Sequence, residues 1–131
     1  MRLILTALIF LGGILFIVTG ADFLFRPEDA ASGFGVAANS NTGVAAIRGD
    51  MTAFFAITGL SMLYGAWKRR SDILLIPAFM LGVALVGRLI TLITHGSEGS
   101  FFTPMIVEAV FVTLCLIAAR VLPNRGAIRN A

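Results

Sequence analysis

The sequence predicts an all-α integral membrane protein, a four-helix bundle in antiparallel up-down order with both termini in the cytoplasm. Three observations carry that prediction. Only 13% of the 131 residues are charged and 58% are hydrophobic, whereas a soluble domain is about a quarter charged. There is therefore too little polar surface to cover a globule in water, and the mean hydropathy of +0.95 agrees. The apolar residues also fall into four runs, each long enough at about 1.5 Å per residue to cross a hydrocarbon core of roughly 30 Å. Finally, the basic residues gather on alternate connections. The length fits one domain, residues 1–131.

The first run, about 3–25, is "LILTALIFLGGILFIVTGADFLF". It is longer than the apolar core of about 7–15 residues in a signal peptide, so it reads as a retained span. A longer connection follows. In it, Pro27 with Glu28 and Asp29 marks a helix start, with proline at the first position and acids in the first turn. This short outer helix is either a solvated connection or a lid. The second run covers about 44–67, the third about 73–94 and the fourth about 101–122. Internal glycine and proline do not exclude helix, because in lipid the backbone must satisfy itself internally. No run alternates polar with apolar residues, which argues against a β-barrel. Ala45, Thr52, Ala56, Gly59, Ala78 and Gly82 are small enough for close helix packing.

Charge sets the orientation. With four spans, Arg2, Lys68, Arg69, Arg70, Arg120, Arg125 and Arg129 all lie on one side, and the opposite connections carry only Arg26. The positive-inside rule places the first group in the cytoplasm, in a bacterial-type inner membrane. Tyr64 and Trp67 sit where an inner aromatic belt would be. The isoelectric point of 10.0 is explained by this basic rim and needs no nucleic acid partner.

The remaining charges form one layer near the outer ends of the spans. Arg88 lies about 9 Å inside the outer end of span three, and Glu108 about 10 Å inside that of span four. Equal depth on adjacent antiparallel helices lets them face each other. Asp22 and Arg48 lie at similar shallow depths on spans one and two, with Asp50 one step deeper. Thr91 and His95 follow Arg88 along its helix face, and Thr52 follows Arg48 at four residues. An ionisable group costs roughly 2.5–3.5 kcal/mol at the centre of a span and normally marks a site. Arg48, Arg88, Glu108, Asp50, Asp22 and His95 are therefore the candidate ligand-binding residues of an outward pocket, closed below by Phe54, Phe55 and Phe111. The same charges could instead hold the helices together.

Other chemistry is weakly signalled. Cys115 stands alone in apolar surroundings and reads as packing. His95 and Glu98 do not make a metal site. No hydrolase, nucleotide or zinc-protease pattern appears, so neither a catalytic set nor a cofactor is expected.

The stretches "FRPEDA" and "GFG", then "AIRGD", "GRLITLITHG", and Glu108 after Pro104 resemble an uncharacterised bacterial family of small four-span membrane proteins, a domain of unknown function. The resemblance covers nearly the whole chain and rests on Pro27, Arg48, Gly49, Arg88, Pro104 and Glu108. It implies a four-helix bundle and no established activity, substrate or cofactor. The expected partners are the lipid bilayer and a small anionic or amphiphilic ligand, lipid included. A homo-oligomer or an accessory role in a larger membrane complex is the alternative, and a membrane-embedded enzyme a third.

Overall fold

A computed structural model describes residues 1–99 and 101–122, and these are helical with short connections. Arg125 and Arg129, expected on a cytoplasmic rim, lie outside the described residues. Helix α1 spans Arg2–Phe25, α2 Pro27–Gly33, α3 Asn41–Ala46, α4 Thr52–Lys68, α5 Ser71–His95 and α6 Phe102–Val121. A π-helical segment, Ile47–Met51, joins α3 to α4. Three helices, α1, α5 and α6, are long and apolar enough to cross a membrane.

The second run departs from expectation. It was expected as one helix from about Val44 to Trp67. The chain instead turns helical at Asn41, where Ser40 accepts the Gly43 N–H as an N-cap. The π segment then leaves α4 with only 17 residues. In a π turn the backbone bonds reach to i+5, so side chains on either side fall out of the 3.6-residue phase. The helix beginning at Pro27 forms as the sequence indicates, with Ala30 and Ala31 buried.

Long-range packing runs α1 on α4, α4 on α5, α5 on α6, and α6 back on α1. The closest approach is between α1 and α4. A Cβ at Gly59 would lie 2.6 Å from the Gly13 carbonyl oxygen, and one at Gly20 would lie 3.2 Å from the Ala56 nitrogen. Without a hydrophobic drive between helices in lipid, such backbone contact is what holds spans together. Gly82, expected at a packing face, has nothing within 4 Å of its Cβ position. Beyond the glycines, Phe16, Phe23, Phe34 and Phe55 form a cluster with ring centroids 5.4–5.9 Å apart, extended by Phe54 and Phe111. Cys115 is fully buried in the core.

Candidate functional site

Arg88 on α5 and Glu108 on α6 meet. Arg88 Nε donates to Glu108 Oε1 at 2.9 Å and to Oε2 at 3.1 Å. The Glu108 side chain keeps 8% of its surface exposed and that of Arg88 30%. The carboxylate is thus enclosed while part of the guanidinium reaches outward, and the pair sits on the α5–α6 contact.

Glu108 also lines a cavity of about 270 Å³. Leu15, Phe16 and Thr19 of α1 form one wall, and Phe54 and Phe55 of α4 another. Leu81 of α5 and Thr103, Pro104 and Val107 of α6 complete it, with Gly33 and Phe34 at the end of α2 above. Thr19 spends its hydroxyl on the Leu15 carbonyl at 2.9 Å, a bond within its own helix. The cavity is therefore apolar apart from Glu108 and threonine hydroxyls, and Glu108 is the charged group on its wall. Thr19, Gly33 and Phe34 also line a wider surface recess that holds Asp22, Arg26 and Asp29.

The other four sequence-derived residues are not drawn into that cavity. Asp22 takes Arg26 as its partner, at 2.6 Å, one helical turn away. It was expected opposite Arg48, but the i, i+4 neighbour is nearer, Asp22 on α1's final turn and Arg26 at the residue that caps it. Arg48 instead donates from Nε to the Leu24 carbonyl oxygen at 3.1 Å. This satisfies one of the carbonyls that a helix C-terminus leaves unbonded, where a cation is also favoured by the helix dipole. Asp50 is exposed on the π segment. His95 is exposed at the end of α5, its Nδ1 paired with the Thr94 hydroxyl at 2.7 Å. The single outward pocket gathering all six residues is thus not formed. One pair and four separate placements stand in its stead.

Thr19, Phe34 and Thr103 line the cavity without having been singled out from the sequence. Thr19 lies three residues before Asp22 on one helix face, which was a usable signal. Nothing local marks Phe34 or Thr103. Thr52 Oγ1 is buried without a partner among the described residues. Thr58, Thr91 and Thr113 each return their hydroxyl to the carbonyl four residues before. For Thr52 that carbonyl belongs to Arg48, inside the π segment, where the α register is lost. Among the described residues, no group of three or more metal-ligating side chains is assembled.

Residues 4–119, which take in α1 through most of α6 and the whole cavity, match the family described as a domain of unknown function, DUF4345. The chain belongs to this family. No curated protein and no solved structure matches it. The DUF4345 match covers Arg88, Glu108 and the short helix α2 alike, so the paired charges and the cavity wall fall within one family domain.

Proposed function

We propose that this DUF4345 protein is a four-span bundle of a bacterial cytoplasmic membrane that binds a chiefly apolar amphiphile in the cavity between α1, α4 and α6. The observation that carries the reading is a buried carboxylate, Glu108, on the wall of an otherwise apolar space of about 270 Å³. Ligand sites are concave and mostly apolar, with a few placed polar groups, and this volume sits at their small end. A free anion fits poorly, because the charged group facing the space is itself negative. An apolar body with a hydroxyl or other hydrogen-bond donor fits, the donor reaching Glu108 while Arg88 holds the carboxylate in place.

The fourth span is α4 together with the turns before it. Its 17 residues alone reach about 26 Å. The π segment and α3 extend the same run toward the outer surface. The basic residues at the α4–α5 turn and at Arg2 support cytoplasmic termini.

Native mass spectrometry of the purified protein tests the binding reading. A discrete small-molecule adduct is expected on the wild type. It should be depleted in Val107→Phe, which fills the cavity, provided that variant remains folded. Absence of any adduct, or an adduct unchanged by a folded Val107→Phe variant, would overturn it.

A further inference from the structure

A second, unrelated groove lies at the opposite end of α4. Phe10 of α1 and Leu60, Leu63, Tyr64 and Trp67 of α4 enclose a shallow apolar space of about 250 Å³. Leu60, Leu63, Tyr64 and Trp67 recur at helical spacing on one face, so the groove runs about 10 Å along the helix. Trp67 is 70% exposed and lies with its ring centroid 6.3 Å from that of Phe10. The walls are apolar over this length, and "KRR", Lys68 to Arg70, follows Trp67 directly in the chain.

The three basic side chains are not equivalent. Arg70 is held by Asp72, with Nη2 at 2.5 Å from Oδ2. Lys68 and Arg69 have no carboxylate partner among the described residues. Arg69 also adopts a left-handed backbone, φ 52° and ψ 45°, just past the end of α4. That position favours glycine, and an arginine there is strained. The chain thus keeps a guanidinium at a place where the backbone alone would choose another residue.

We propose that this groove binds an anionic glycerophospholipid, with an acyl chain along Phe10, Leu60, Leu63 and Trp67 and the headgroup phosphate against Lys68 and Arg69. Charge complementarity selects the occupant: two unpaired cations stand at the interface end of an apolar track, and an anionic lipid presents phosphate and chain in that order. The site needs the chain to sit in a bilayer, but it is independent of the Glu108 cavity.

Trp67 is the sole tryptophan and lines the groove, so its fluorescence reports occupancy directly. The protein is reconstituted in phosphatidylcholine vesicles containing a small fraction of brominated phosphatidylglycerol, or brominated phosphatidylcholine in its place. Phosphatidylglycerol should quench Trp67 at a mole fraction lower by up to about 25-fold and saturate, at about fivefold for each of the two basic side chains. Lys68→Gln with Arg69→Gly should abolish the preference. The glycine also relieves the left-handed strain, so lost preference with stability kept or raised separates lipid binding from folding. Arg120→Gln, which removes a basic charge on α6, should leave the preference intact. Equal quenching by both lipids would overturn the proposal. So would a preference that survives the double change, or one that falls equally in Arg120→Gln, which would mean general attraction to a basic rim.

Discussion

At the scale of single residues, Arg88 and Glu108 show what depth arithmetic can deliver. No acid lies near Arg88 in sequence, yet counting 1.5 Å per residue from two helix ends brings Glu108 opposite it, and Nε stands 2.9 Å from Oε1. The pair is unequally buried, so its two single removals should differ. Arg88→Ala leaves an enclosed carboxylate and should cost about 1–3 kcal/mol, below the roughly 3–5 of a fully buried pair because the site is partly open. Glu108→Ala leaves a guanidinium that can turn outward, and should cost less. The double variant should lose less than the sum, since the second change deletes the orphan left by the first. Thermal denaturation in detergent measures this, and simple additivity would mean the contact carries no stability. Arg48 was harder to read. Its partner is a backbone carbonyl, Leu24, on another helix, and no residue type in a sequence announces a free carbonyl. Asp22 with Arg26 was legible as an i, i+4 pair, but Pro27 had drawn Arg26 into the connection.

At the scale of elements, the long helices were readable because apolar runs and length suffice, while the break in the second run was not. The π segment contains "IRGDM", which has no proline and one glycine; its local composition permits an α-helix and so gives no warning of the break, which lies where α1 packs against the segment. The close α1–α4 crossing carries its own prediction. Gly59→Ala would push a methyl against the Gly13 carbonyl and the Ile17 nitrogen, backbone atoms that cannot swing aside. It should cost about 1–3 kcal/mol as overpacking. Gly82→Ala, with open space around it, should be neutral or stabilising by about 0.5–1 kcal/mol. Equal melting temperatures for the two variants would refute the close crossing. The α4–α5 turn adds a pH effect. Arg70, through its hydrogen bonds, holds the Asp72 carboxyl below its ordinary value. A carboxyl depressed on folding adds stability above its unfolded value, lost as pH falls through the folded one. Both side chains are more than half exposed, so the effect should be small. A carboxyl titration by NMR should show Asp72 returning toward the ordinary range in Arg70→Gln, and an unchanged midpoint would show that the contact does not persist in solution.

At the scale of the whole molecule, composition and charge distribution bear on orientation, and the short α4 makes the number of crossings the sharpest question. The test uses single cysteines introduced by Asn39→Cys, Ser71→Cys and Ser97→Cys in a Cys115→Ala background. Asn39 and Ser97 are exposed in connections, and neither takes part in a side-chain hydrogen bond among the described residues, whereas Ser40 caps α3 and is better left intact. Each connection separates consecutive long helices, so the labelling pattern counts crossings as well as orienting them. If all four cross with cytoplasmic termini, an impermeant thiol reagent on intact cells labels positions 39 and 97 and spares 71 until the membrane is opened. If orientation is reversed, only 71 is labelled. If α4 fails to cross, 39 and 71 must react alike and 97 oppositely, because only α5 then separates them from 97. The basic turn at Lys68–Arg70 favours the first pattern, since outward exposure of that turn would place its positive charge against the positive-inside bias. Shared reactivity of 39 and 71 would reduce the protein to three crossings and leave α4 packed on α1 without traversing the bilayer.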